Sequence, residues 1–192
     1  MEEIIHKRIE ETERVKKRFF HESLPRLISI IKLIADSLEN GNKLLLFGNG
    51  GSAAQAQHLA AEFVNRFRMD RPPLPAIALT TDSSILTSIG NDYSFSEVFS
   101  KQIVALGREG DIAIGISTSG NSANVVRAIE VAKEMGLETI ALTGNDGGEL
   151  VKVANYSLIV PSSSTPCIQE VHMAVVHILC EMAEAQIFKM AY

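Results

Sequence analysis

Apolar positions recur at three- and four-residue steps through Ile5, Ile9 and Phe19, and again through Leu24, Leu27, Ile31, Ile34 and Leu38. That period places side chains on one face of an α-helix. Pro25 suits the start of a second helix, and Gly41 after Asn40 suits its end, because a residue just past a helix often takes a positive φ that glycine tolerates. The spacing therefore predicts an antiparallel helical hairpin over residues 1–40. Its charged first half reads as a solvated face, with an apolar stripe able to pack on another subunit.

Beyond residue 41 the pattern changes. Segments 43–47 (KLLLF), 76–79 (AIAL), 111–117 (DIAIGIS), 138–143 (ETIALT) and 156–161 (YSLIVP) are continuous apolar runs rather than alternating ones. Such runs belong to strands buried on both faces. Helical stretches near 53–67, 94–106, 121–135 and 149–153 lie between them, and a long one follows over about 166–188. Strand and helix in alternation mean parallel strands with crossovers, so the fold expected is α/β, a three-layer sandwich of about five parallel strands. One domain is expected over 1–192, with the helical hairpin at 1–40 and the α/β core at 41–192; there is no internal repeat or linker.

The composition fits that picture and narrows the partners. The chain has 192 residues, 46% of them apolar, and 18 Lys+Arg stand against 23 Asp+Glu for a formal charge of −5. An acidic chain without a basic run has no general attraction to phosphate backbones, and the absence of Trp removes stacking platforms, so no direct nucleic-acid partner is expected. Cys167 and Cys180 form neither a disulfide framework nor a zinc-ribbon pair, which suits a reducing cytoplasm. The first twenty residues mix acids and bases, unlike a signal or transit peptide, and no apolar stretch approaches the roughly 20 residues that span a bilayer, so no membrane role is expected.

In open parallel sheets, ligands bind beyond the carboxyl ends of the strands. After the first strand comes Gly48-Asn49-Gly50-Gly51-Ser52, running into a helix. Its glycines let backbone N–H groups approach an anion, and the helix start adds partial positive charge. It is not a dinucleotide fingerprint, since Ala53 stands where the third glycine would be, and no GK[ST] marks a nucleotide-hydrolysing loop. After the third strand comes Ser117-Thr118-Ser119-Gly120-Asn121-Ser122, whose hydroxyls exceed what capping one helix requires. Neither loop carries Lys or Arg, which favours a phosphate monoester on a small metabolite over a nucleotide triphosphate with magnesium. A third loop, Ser88 to Tyr93, contains the Gly90-Asn91-Asp92 turn, and Gly144 to Gly148 reads as a turn and helix start.

Titratable groups complete the candidate chemistry. His58 and Glu62 are four apart on the first crossover helix and share a face, so they can chelate a metal or act as an acid and a base. The last helix carries Gln169, Glu170, His172 and His177 in an apolar run. His172 and His177, five apart, lie on opposing sides, and a lone His on an apolar face is more often a satisfied core group than a ligand. Gln169 and His177 are separated by a rise of about 12 Å, so they meet only through converging side chains or across a subunit boundary.

GNGGS, the QHLAAE helix, GND, GISTSGNS and IQEVHMAVVHIL, in that order, together resemble the phosphoheptose isomerases of the sugar isomerase (SIS) domain superfamily, essentially end to end. The resemblance implies a cytoplasmic homotetramer that converts D-sedoheptulose 7-phosphate into D-glycero-D-manno-heptose 7-phosphate for bacterial surface polysaccharide. It places substrate contacts on Asn49, Gly50, Gly51, Ser52, Glu62, Asn91, Asp92, Ser117, Thr118, Ser119, Ser122 and Gln169. It implies a catalytic pair, Glu62 and His177, and one zinc ion per subunit held by His58, Glu62, Gln169 and His177. Some members carry an acid three residues before the glutamine, where this chain has Pro166. Aldose-ketose isomerisation through an enediol needs a base at carbon, here Glu62, and a group that shuttles oxygen protons, here His177; zinc would polarise the carbonyl.

A second family remains open as an alternative. LPAIALTTDSSILTSI and ALTGNDGGEL look at least as much like the non-catalytic SIS proteins that associate with the bacterial replication initiator DnaA, and another SIS phosphosugar isomerase is a further possibility. The acid at 62 and the histidine at 177 favour the enzyme. Cys180 reads as a packed thiol and Cys167 as the more reactive one, and the apolar last helix, with the N-terminal segment, predicts burial against other subunits.

Overall fold

The computed structural model describes residues 1–189; residues 190–192, the end of the expected core, lie outside the described residues. Helix α1 (Glu2–Glu39) leads into β1 (Leu44–Gly48), α2 (Gly51–Val64), β2 (Ala76–Ala78), α3 (Ser83–Asp92), a 3-10 turn (Phe95–Glu97) and α4 (Ser100–Leu106). Then follow β3 (Ile112–Ser117), α5 (Ala123–Glu134), β4 (Glu138–Gly144), α6 (Leu150–Val153), β5 (Tyr156–Val160) and α7 (Thr165–Ile187). The five strands form one parallel sheet in the order β2-β1-β3-β4-β5. Strand side chains alternate between two cores. Leu44 and Leu46 pack with Phe19 of α1, Leu59 of α2 and Val171 of α7. Leu45 and Phe47 pack with Ile103 of α4 and Ile129 of α5. Both faces are covered, which is why the strand segments read as unbroken apolar runs.

The expected hairpin is not formed. Residues Glu2–Glu39 make a single helix with Pro25 inside it. Proline removes one N–H and crowds the carbonyl four residues back, at a cost of about 3 kcal/mol. Here Pro25 lies on the exposed side, while buried Val15 and Phe19 before it and Leu27, Ile30 and Ile34 after it hold both halves to the same core. Packing along α7 and β5 outweighs the local break. At about 1.5 Å per residue the helix is roughly 57 Å long, and its first turns leave Ile4, Ile5 and Ile9 more than half exposed. The stretch expected as one helix at 94–106 is also divided, because the Ser94 hydroxyl accepts from Ser96 N–H and opens a 3-10 turn before α4. Among the described residues no helix is long and apolar enough to cross a membrane.

The topology creates the crevice. From β1 the chain crosses through α2, on the α1 and α7 face, to the edge strand β2; from β3 it crosses through α5, on the opposite face, to β4. Adjacent parallel strands whose connections leave in opposite directions open a cleft beyond their carboxyl ends.

Candidate active site

The loops leaving β1 and β3 meet at this cleft. Gly48 is in register with Ile116, and a β-carbon at residue 48 would strike the Ile116 carbonyl oxygen, so the strands close here only over a glycine. Gly50 takes φ 53° and ψ −120°, a conformation L side chains avoid, and turns the chain into α2. The helix start adds its partial positive charge beside the loop.

Across the cleft, Ser122 occupies the N-cap of α5 without capping it; its hydroxyl instead meets Ser117 Oγ at 3.0 Å. The Ser119 hydroxyl accepts from Asn121 N–H at 3.2 Å, and Asn121 Oδ1 accepts from Glu149 N–H at 3.0 Å, so Asn121 braces the neighbouring loop. The hydroxyl cluster is therefore tied across its own loop rather than used up on the helix. Asn49 and Asn124 exchange two side-chain hydrogen bonds, each of 2.9 Å. Asn124 is 4% exposed and joins the β1–α2 loop to the first turn of α5; it was not among the expected residues, because an asparagine early in a helix gives no local sign of its partner.

The second half of the site lies along the contact of α2 with α7. Gln55 Nε2 donates to the Gln169 carbonyl at 2.8 Å, and the Gln169 carboxamide lies where a β-carbon on Gly51 would be. About two turns along α2, His58 Nε2 stands 3.3 Å from Glu62 Oε1 and 3.1 Å from His177 Nε2. The two imidazoles meet edge to face, with centroids 5.3 Å apart, and the Phe67 ring packs 5.9 Å from the His177 ring. The His58 and Glu62 side chains are 41% and 24% exposed, so a ligand can reach both. His177 also lines a 490 Å³ cleft with Ile9, Thr12 and Lys16 of α1.

The structure does not gather every expected residue. Asn91 and Asp92 end α3, a helix without a buried residue, and bond each other, Nδ2 to Oδ1, at 2.8 Å. His172 is 1% exposed, and its Nε2 donates to the Thr143 carbonyl at 3.1 Å. Burial lowers its pKa to about 4, against the weaker opposing effect of that carbonyl, so it is a neutral core residue. Its Nδ1 has no partner, so the ring is only half satisfied. Pro166 occupies the first turn of α7, where its missing N–H costs nothing. Both cysteines are buried, which removes the basis for a reactive Cys167, and burial pushes the Cys180 thiol well up.

The donors suit a zinc ion in part. Zn–N bonds of 2.0–2.1 Å in a tetrahedron imply ligand atoms about 3.3 Å apart, close to the 3.1 and 3.3 Å separations around His58. Gln169 makes no hydrogen bond to the other three donors, and among the described residues no three His, Cys, Asp or Glu side chains already surround one point. Two edges of a coordination shell are formed, and the shell is not closed.

The SIS domain model matches residues 9–144. The chain belongs to the SIS domain family. The matched span contains both loops and α2, whereas α7 with Gln169 and His177 lies beyond it. Relatives of this SIS domain chain extend over α7 as well. It is 54% identical over 189 residues, 98% of its own length and 94% of the relative's, to the phosphoheptose isomerase of Thermodesulfovibrio yellowstonii. To that of Aquifex aeolicus it is 51% identical over 187 residues, 97% and 98% of the two chains. The structure of phosphoheptose isomerase from Neisseria gonorrhoeae matches with a TM-score of 0.91 at 43% identity, covering 96% of this chain and 98% of that one.

Proposed function

We propose that the chain is a phosphoheptose isomerase, converting D-sedoheptulose 7-phosphate into D-glycero-D-manno-heptose 7-phosphate. The supporting observation is the contact of His58, Glu62 and His177 about two to three turns along the helix whose start carries the glycine loop. The phosphate lies at residues 49–52 with the hydroxyls of Ser117, Thr118, Ser119 and Ser122, and the sugar runs along α2. Glu62 takes a proton from C1 of the ketose and returns it to C2, while His177 gives a proton to O2 and takes one from O1, so the enediol forms and collapses without net proton change. Asn91, Asp92 and Gln169 contact sugar hydroxyls.

His58, Glu62 and His177, with Gln169 as a fourth donor, would hold zinc. Bound there, zinc would supply Lewis-acid polarisation of the substrate carbonyl. A carboxylate committed to a cation is a weaker base, so Glu62 fills one role at a time. The proposal includes a cytoplasmic homotetramer, supported by the exposed Ile4, Ile5 and Ile9 on α1. A non-catalytic partner of the replication initiator has no evident use for three titratable side chains in contact.

The test is isomerisation of sedoheptulose 7-phosphate by the purified protein, after chelation and after return of zinc. Turnover that Glu62→Gln and His177→Ala each reduce by about 10²- to 10⁴-fold supports the reading. No turnover by the folded, zinc-supplied protein overturns it.

A further inference from the structure

The segment between α2 and β2 is wrapped around one carboxylate. Glu184 of α7 is fully buried. Its Oε1 accepts from the N–H groups of Arg68 at 2.8 Å and Met69 at 3.1 Å. Its Oε2 accepts from Phe67 N–H at 3.1 Å and Arg71 Nε at 2.8 Å. The Arg71 side chain, equally buried, directs its other donors to carbonyls: Nη1 to Phe63 at 2.7 Å and Pro72 at 3.1 Å, and Nη2 to Glu62 at 2.9 Å.

These bonds converge on the reacting pair from two sides. Glu62 and Phe63 belong to the last turn of α2, whose carbonyls have no partner within the helix, so the guanidinium caps the helix at the residue bearing the base. Phe67, fixed by its N–H on Glu184, lays its ring against His177, the two planes 31° apart. Glu184 follows His177 by seven residues, about two helical turns, and so shares its face of α7. A buried ion pair kept for stability alone is often replaceable by apolar residues without loss. This one is bonded to the backbone of the base and to the residue stacked on the histidine.

We propose that the Glu184–Arg71 pair, acting through the α2 terminus and Phe67, is a positioning device that sets His177 against Glu62 for turnover. The proposal rests on the isomerase reading of Glu62 and His177. Two variants separate positioning from folding. Arg71→Lys keeps the charge but loses the fork that reaches Glu184 and the α2 carbonyls together. Phe67→Leu leaves every hydrogen bond and the ion pair in place, keeps an apolar side chain against the core, and removes the ring that meets His177 on one side and the Arg68 guanidinium, 5.6 Å from its centroid, on the other. Each is expected to lower kcat by about 10- to 100-fold, the scale set by a misplacement of about 1 Å, with KM changed less than about twofold. Imidazole ¹⁵N–¹H spectra without substrate are expected to show the His177 signals displaced in both.

Unchanged kcat and unmoved His177 signals in the folded variants, with only the melting temperature lowered, overturn the device. Should Arg71→Lys fail to fold, Phe67→Leu decides alone. If the parent has no isomerase activity while the His177 signals still move, the isomerase reading fails and the positional link stands.

Discussion

His58 and His177 meet nitrogen to nitrogen at 3.1 Å, although 119 positions separate them in the chain. Each imidazole nitrogen is either an N–H donor or an acceptor, so the gap accommodates one proton or a shared cation, and two facing N–H groups would repel. Glu62, 3.3 Å from His58, adds the negative charge that favours a cation. Replacing His58 is therefore expected to matter although the proposed proton transfers fall to Glu62 and His177. His58→Ala should lower zinc affinity by more than the roughly 10- to 100-fold typical of outer-sphere changes, and activity should fall with metal content. Mass-spectrometric metal analysis after dialysis against a buffered zinc concentration checks this; equal zinc in variant and parent would remove His58 from the ligand set.

The reciprocal pair of Asn49 and Asn124 predicts a coupling of another kind. Each carboxamide satisfies the other, so truncating one leaves a poorly solvated amide behind, at about 1–3 kcal/mol. Asn124→Ala should destabilise the protein by that amount and raise KM for the sugar phosphate more than it lowers kcat, because Asn49 is freed from its orientation in the glycine loop proposed to hold the phosphate. The double variant Asn49→Ala/Asn124→Ala should be little worse than the worse single one, since residues acting as a unit are not additive. Additive effects on KM would show that Asn49 needs no such support.

How much of this was legible follows from where each signal resides. Strands β1 and β3 were readable to within a residue because every position is buried, and the loops after them were readable because parallel topology sends ligands there. His58 and Glu62 share a helix face by spacing alone. Asn124, Phe67, Arg71 and Glu184 act through partners 75 to 117 positions away or through ring packing, and nothing local announces such pairings. Glu184 did leave one trace, a carboxylate in the apolar run MAEAQIF one heptad after His177. The hairpin failed for the opposite reason, because a strong local signal at Pro25 was overruled by burial on both sides of it.

That overruling is itself testable. Pro25 is exposed inside α1 and leaves the His21 carbonyl without its helical donor; the Ser29 hydroxyl donates at 3.1 Å to the Pro25 carbonyl and not to the orphaned one. Pro25→Ala restores an N–H to the helix and removes the ring crowding, so it should stabilise the protein by about 1–3 kcal/mol. The gain should be visible in denaturant midpoint with little change in slope. A hairpin broken at this point would instead lose its turn and gain nothing, so an unchanged or lowered midpoint would count against the continuous helix.

His172 gives the fold a defined acid sensitivity. Burial lowers its pKa from 6.5 to about 4, and the Thr143 carbonyl that accepts from Nε2 only partly opposes this. Between those values the unfolded chain binds a proton that the folded chain refuses. Stability is therefore complete above pH 6.5, falls as pH drops toward about 4, and levels off below it. The difference of 6.5 − 4 = 2.5 units corresponds to about 3 kcal/mol. Glu184 is also buried, which favours the neutral acid, but hydrogen bonds from Arg68 N–H, the Arg71 side chain and the Phe67 and Met69 N–H groups hold its carboxyl below the ordinary range. Its contribution is complete above its ordinary value of 4.5 and is lost as pH falls from there, so it overlaps only the acid end of the histidine window. Urea unfolding at fixed protein concentration across pH 7 to 4 should show the histidine loss in the parent, and His172→Gln, which keeps a donor for Thr143 but does not titrate, should flatten it. Parallel losses in parent and variant would place the acid sensitivity in another group.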